Sequence, residues 1–404
     1  MDSSLFPNID NNTERRFVTS TELDRFSCLP EYLIYSILEK LPVQDAVRTH
    51  ALSKKWAYKW TTLSSLGPLL KLHLHIPKMD LDSFQEVDQW ILSLSRDGVR
   101  KLVLINKNRR YQLPCYFFRC QELRMLELEN CIIKPPLNFQ GFLYLENLLL
   151  RNIEFGANLH GTIINLPQLK MLKLVACTNV DNFKIKSTKL FRLVVLICPD
   201  AILLQLLHSE CLSAVGIAFG KPIQGVERVN LGSLLSIMPC LVDLFIEGYF
   251  LQFSIAENIP KWLLHPATSL KSLNLLNFEF GDLFQLQCVL CILRNSTNLE
   301  RIAVTNQGPR NMHLDVKPTS TYLESSNCLD QTLNLLRTIN IIHVERSRPL
   351  LLFIKLLLDH SPTLENISIR PSATTDANEK YNFAKDVMRF PRASTKAELL
   401  FLDP

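Results

Sequence analysis

Glycine is scarce in this 404-residue chain, with 12 residues, about 3% where about 7% is usual. That leaves little for phosphate-cradling loops: there is no P-loop, and the nearest approach, Gly216 to Lys221, has the wrong spacing and runs into Pro222. Neither G-x-S-x-G nor H-E-x-x-H occurs, so no catalytic residue is expected. Long apolar runs are also missing. The longest, Leu350 to Leu358, is broken by Lys355 and is too short to span a bilayer. Charge of one sign is not in excess either, since 44 Lys and Arg against 39 Asp and Glu leave a scattered +5, which gives no stripe for nucleic acid or anionic membrane. Met1 to Glu22 is polar and begins acidic, unlike a secretion signal, so a cytoplasmic or nuclear protein is expected, with the Asn11, Asn295 and Asn366 sequons coincidental. Paired cysteine spacing is absent: eleven cysteines, an odd number, read as reduced and mostly buried thiols, including the lone C-x-x-C of Cys288 and Cys291. His73 and His75 share a strand face but no third ligand accompanies them, and no metal or cofactor is expected.

What the chain has is leucine, 74 residues, nearly one in five. With 47% hydrophobic and 21% charged residues it can build a substantial core, as two or three domains or one elongated array.

From Leu23 to Leu63 the pattern predicts a small helical unit. Leu33, Ile34, Ile37, Leu38 and Leu41 form one wide apolar stripe between Glu31 and Leu41, which Pro42 ends. Val43, Ala46 and Val47 begin a second helix, and Ser53 caps a third through Trp56 to Trp60. About 40 residues with so many apolar side chains call for a face completed by something else, a partner or the rest of this chain. The order Leu29-Pro30-x-x-Leu33-x-x-x-Ile37-Leu38-x-x-Leu41-Pro42, then Asp45-Ala46-Val47-Arg48-Thr49-x-x-Leu52-Ser53-x-x-Trp56-x-x-x-Trp60, resembles an F-box of the kind common in plants. One departure is Ala57, where a basic residue is frequent, although Lys54, Lys55 and Lys59 keep the segment basic. The resemblance implies a trihelical motif that docks an SKP-type adaptor and, through it, a cullin. Leu29, Pro30, Leu33, Ile37, Leu38, Pro42, Val43 and Trp56 match its adaptor-contacting or motif-defining places.

A second pattern fills the middle. The frame L-x-x-L-x-L, with Ile or Val allowed, begins at Leu123, Leu145, Leu169, Leu190, Leu212, Leu241, Leu270, Leu299 and Leu364, with weaker copies at Leu69, Val99 and Leu336. Most intervals lie near the roughly 20 to 29 residues of a leucine-rich repeat. The fourth and sixth positions share one strand face and point inward, and each turn buries them only by stacking on its neighbours. Cys131, Cys177 and Cys198 fall on the repeat's Asn-or-Cys site and are expected to be buried structural thiols. The polar stretch Asn306 to Gln331 reads as an excursion from the array, disordered or bordering a binding surface.

Toward the end, Leu350 to Asp359 reads as a buried helix and Ser361 to Ile369 as turn and strand. A polar linker from Pro371 to Asn382 precedes Arg389-Phe390-Pro391-Arg392-Ala393-Ser394 and the apolar run Leu399 to Leu402. This succession resembles the FBD region of many plant F-box and leucine-rich-repeat proteins. The expected fold is therefore α/β: a disordered tail over 1–22, a trihelical F-box over 23–63, and an irregular leucine-rich-repeat solenoid over 64–335 with parallel strands on its concave side. An FBD-type region over 336–404 closes it.

These resemblances imply a non-catalytic substrate-recognition subunit of an SCF-type ubiquitin ligase, holding a protein target on the array. A small-molecule-dependent co-receptor and a scaffold outside any ligase are the alternatives. The outward strand positions Leu149, Arg151, Lys173, Arg192, Val194, Phe245 and Leu276 mix apolar and charged side chains and are the expected target contacts; Glu127, Glu247 and Arg301 point the same way.

Overall fold

The computed structural model describes residues 26, 28–38, 40–41, 49, 55–56, 59, 71–76, 78, 84–156, 162–180, 183–198, 211–220, 235, 237–253, 263, 265–306, 316–325, 328–329 and 332–403. The chain forms two compact units, one of residues 1–169 with 177–187 and one of 170–176 with 188–404.

In the first unit the elements are α1 (Glu31–Leu38), β1 (Lys71–Ile76), α2 (Gln85–Asp97), β2 (Lys101–Asn106), β3 (Tyr111–Gln112), β4 (Met125–Glu129), β5 (Cys131–Ile133), β6 (Asn147–Arg151), β7 (Glu154–Phe155), β8 (Thr162–Asn165) and β10 (Phe183–Lys186). Strands β1, β2, β4 and β6 lie side by side, all parallel. Their register sets Leu72 beside Leu102, Leu102 beside Leu126 and Leu126 beside Leu148, so the fourth frame positions form one unbroken inward row, and Leu104, Leu128 and Leu150 form the next. All are buried, each side chain stabilising the stack by roughly 1.5–3 kcal/mol.

The second unit repeats this scheme with β9 (Met171–Val175), β11 (Arg192–Leu196), β12 (Ala214–Ala218), β13 (Asp243–Glu247), α3 (Gly248–Phe253), β14 (Ser272–Leu276), α4 (Leu283–Asn295), β15 (Arg301–Thr305), α5 (Lys317–Glu324), β16 (Thr338–Val344), α6 (Arg348–His360), β17 (Asn366–Pro371), α7 (Ala377–Met388) and β18 (Glu398–Phe401). Its nine strands are parallel and paired in chain order. All twelve frames seen in the sequence, the weak ones included, give strands with inward fourth and sixth positions, and β18 adds one more.

Frame spacing decides what backs each strand. The short intervals of the middle leave room for extended segments such as β5 and β7, whereas intervals near 29 residues hold the 13-residue helices α4 and α6. Asp282 starts α4 by accepting from the Phe284 and Gln285 N–H at 2.9 and 3.0 Å, and Ser347 starts α6 by accepting from Leu350 at 3.4 Å.

A second regularity follows six of the strands. Two residues past the last inward position the backbone turns left-handed, at Asn130, Asn152, Ala176, Ile197, Asn277 and His343, with φ between 49 and 59°. The next residue is then driven inward: Cys131, Ile153, Cys177, Cys198, Phe278 and Val344 are all buried. In the first unit asparagine side chains link these turns, Asn106 Nδ2 donating to Asn130 O at 3.1 Å and Asn152 Nδ2 to Asn130 Oδ1 at 2.8 Å. The three cysteines donate to strand carbonyls, Cys131 to Glu129, Cys177 to Leu150 and Cys198 to Leu196.

Several expectations need correction. Helix α1 ends at Leu38 rather than Leu41, closing in tight turns from Lys40 N–H to Ile37 O and Leu41 N–H to Leu38 O. The supposed linker from Pro371 contains α7: Asp376 caps it by accepting from Glu379 N–H at 2.8 Å, and Phe383 and Val387, four residues apart, are fully buried. The excursion from Asn306 is neither wholly loop nor on the strand face in its described part. Helix α5 joins the helix layer, where the buried Arg294 of α4 donates to the Tyr322 hydroxyl at 3.2 Å and to Cys328 O, and Thr319 Oγ1 donates to Gly281 O at 2.8 Å. Among the described residues no helix is long and apolar enough to cross a membrane.

Candidate functional site

Two surfaces carry the residues singled out from the sequence, one on α1 and one on the outward face of the strands. On α1 the apolar stripe divides in two. Ile34 and Leu38, one turn apart, are fully buried with Trp56, and Leu29, Leu41 and Trp90 pack around them. Trp90 belongs to α2, so the array itself closes this small core. Trp56 is held further by its indole N–H, which donates to Phe26 O at 2.9 Å, and the Pro30 carbonyl accepts from the Leu33 and Ile34 N–H at the helix start. Lys59 clamps the other side, 2.6 Å from Glu31 and 5.4 Å from the centroid of the Tyr35 ring. That contact holds the Glu31 carboxyl below its ordinary pKa and raises that of Lys59.

The adjoining face of α1 is open. Leu33 and Ile37, also one turn apart, are 36% and 39% exposed, and Tyr32 is 70% exposed, with Phe26 and Pro30 alongside. Of the eight motif residues, Leu33, Ile37 and Pro30 therefore reach the surface and Leu29 lies half-buried. Leu38 and Trp56 sit inside, where they hold the face in place instead of forming it. Pro42 and Val43 lie outside the described residues, as do most of the second and third expected helices. Sequence reasoning missed Tyr32 and Phe26, because position within the helix decides their exposure and the motif does not mark them.

On the array, alternation places Leu149 and Arg151 outward in the first unit and Lys173, Arg192, Val194, Phe245 and Leu276 outward in the second. Arg151 and Arg192 are exposed, and the others are half-buried between their strand neighbours. Glu247 does not join them. It is only 1% exposed, its Oε2 accepting from the Phe219 and Gly220 N–H at 2.6 and 2.7 Å and its Oε1 from Asn277 Nδ2 at 3.3 Å. The carboxylate thus satisfies the neighbouring turn's backbone, and the strand's alternation ends there because α3 begins at the next residue.

Among the described residues the thiols and histidines form no centre. Cys288 and Cys291 are buried on α4, and burial pushes the Cys291 thiol up to about 11 and that of Cys131 up to about 12, far from thiolate chemistry. His73 and His75 lie on β1 as expected, and no group of three potential metal ligands occurs among the described residues.

Stacked parallel strands with an inward leucine ladder, preceded by a helix that keeps one apolar face free, define a leucine-rich-repeat protein with an F-box. The family profile described as "FBD-associated F-box protein At5g56370, LRR repeats" matches residues 87–304, and the F-box domain profile matches 26–66. Among similar proteins of Arabidopsis thaliana, F-box/FBD/LRR-repeat protein At1g13570 is 29% identical over 413 residues, covering 94% of this chain and 98% of the relative. F-box/FBD/LRR-repeat protein At5g56420 is 24% identical over 441 residues, covering 94% and 99%. A solved internalin of Listeria monocytogenes overlaps 92% of this chain and 93% of its own at a TM-score of 0.39 and 13% identity, too distant to add to the argument. The chain belongs to the FBD-associated F-box, leucine-rich-repeat family.

Proposed function

We propose that the protein is the substrate-receiving subunit of an SCF-type ubiquitin ligase. The open face of α1 takes an SKP-type adaptor, and the outward strand face takes a protein target. The chain itself performs no bond chemistry in this reading: it raises the local concentration of a target lysine near a charged ubiquitin-conjugating enzyme carried by the cullin. The single observation that carries it is the division of α1, with Ile34 and Leu38 filling the unit's own core while Leu33, Ile37 and Tyr32 remain exposed. A short helix that displays a second apolar face after its own core is complete is suited to a partner. Eleven cysteines, an odd number without paired spacing, suit a reducing compartment, and the cytoplasm or nucleus is the proposed site of action.

The test is Leu33→Asp with Ile37→Asp in the full chain, assayed by co-purification with a recombinant SKP-type adaptor. Both positions are surface sites, so the fold should persist. Central apolar anchors cost on the order of 2 kcal/mol or more each when lost, so capture should fall beyond detection. Undiminished capture by the folded double variant would remove the basis for the ligase assignment.

A further inference from the structure

Charges on the strand face and its rim are mostly matched. In the first unit Glu129 lies 2.5 Å from Lys107 and 3.7 Å from Arg151. In the second, Arg301 lies 3.7 Å from Asp243 and 3.5 Å from Glu300, Lys271 lies 2.9 Å from Glu300, and Arg337 lies 3.0 Å from Glu365. Lys173 and Arg192 depart from this pattern, for neither has an acidic partner among the described residues.

The two cations stand on adjacent strands of the second unit. Register sets Arg192 beside Met171 on β9, and Lys173 beside Val194 on β11. Continuing across, Val194 lies beside Gly216 and Gly216 beside Phe245. Gly216 is itself buried, and a Cβ placed there would have Val194 and Phe245 as its nearest neighbours, at 3.5 and 3.7 Å, so these two side chains close over it as one apolar surface. Two unmatched positive charges therefore border a half-buried apolar pair.

We propose that this patch receives an acidic, apolar segment of the target: carboxylates on Lys173 and Arg192, and a bulky apolar side chain against the surface that Val194 and Phe245 form. The inference rests on the receptor reading above and specifies the chemistry of what is received. Arginine's planar fork suits a carboxylate, and the apolar neighbours reduce the competition of water for it. A nucleic-acid backbone fits less well, because it presents charge at every residue and calls for a row of cations. In line with the two cations here, the same row continues through Asn274, Ala303, Asn340 and Ser368, all uncharged.

The test is selection from a random peptide library on the immobilised full chain, beside the variant Lys173→Glu with Arg192→Glu, whose fold is checked by circular dichroism. The expected result is a consensus of Asp or Glu flanking an aromatic or large aliphatic residue. Synthetic peptides of that consensus should bind the variant at least tenfold more weakly, and the variant should select Lys or Arg instead. Phe245→Ala should weaken the same peptides without altering their acidic preference. No consensus, one without acidic bias, undiminished binding by the reversed variant, or displacement of the peptides by a single-stranded oligonucleotide would each overturn the proposal. Adaptor capture, measured on the same preparations, keeps the two readings apart: its failure alongside an intact acidic consensus refutes the ligase role and not this site.

Discussion

Replacing Glu247 tests whether a carboxylate inside the array is structural. In Glu247→Ala the Phe219 N–H, which is buried, loses its acceptor, and an orphaned buried donor costs about 1–3 kcal/mol. Gly220 is exposed, so its N–H can turn to water and loses only the net value of a charge-assisted bond, about 1 kcal/mol. Asn277, held left-handed at φ 49°, loses an additional contact at 3.3 Å. The sum is about 3 kcal/mol. Glu247→Gln keeps an oxygen for the turn but loses the charge, and about 1 kcal/mol is expected. For a cooperative unit of about 200 residues, 3 kcal/mol corresponds to a fall in Tm on the order of 6–12 °C. Urea and thermal unfolding of the full chain would be compared with Asp243→Asn, a partly exposed change on the same strand that should stay within about 0.5 kcal/mol. If Glu247→Ala unfolds at the same urea concentration as Asp243→Asn, the carboxylate is not holding the turn.

Leu172→Asp places a charge at a fully buried rung and should destabilise the second unit by several kcal/mol, whereas Lys173→Asp, one residue away and facing outward, should be nearly silent in thermal unfolding; equal shifts would show that the strand frame is misassigned. Ile197 is half exposed and sits at φ 56°, a conformation that costs a β-branched side chain about 1–2 kcal/mol, so Ile197→Asn should raise the urea midpoint by about 1 kcal/mol in stability, and a lowered midpoint would count against strain at this turn.

The strands were legible because the leucine frame is itself the structure's inward row: within each unit the fourth and sixth positions land beside their counterparts in the next strand. Even the weak copies at Leu69, Val99 and Leu336 gave strands, since stacking on neighbours supplies what a poor local match lacks. The left-handed turns were not legible as a set. Asparagine marks them at 130, 152 and 277 and histidine at 343, but Ala176 and Ile197 occupy the same place with no intrinsic preference for it, held by the burial of the residue that follows. Helix α7 read as linker because only Phe383 and Val387 among its polar residues reach the core. Glu247 read as outward because strict alternation was carried one residue too far, into the corner where β13 gives way to α3. In the F-box segment the motif fixed the helix and its apolar content, but only the packing of Trp56 and Trp90 separates the side that is filled from the side that is free.

Trp90 has a mechanical consequence. A module joined to its neighbour by a loose tether samples many orientations, and its effective concentration at a distant point is diluted accordingly. By packing from α2 against the core beneath α1, half-buried Trp90 ties the F-box helix to the first repeats. An adaptor gripping α1 would then meet the first repeats as a lever of set angle, and substitution of Trp90 would loosen that lever without touching either proposed binding face.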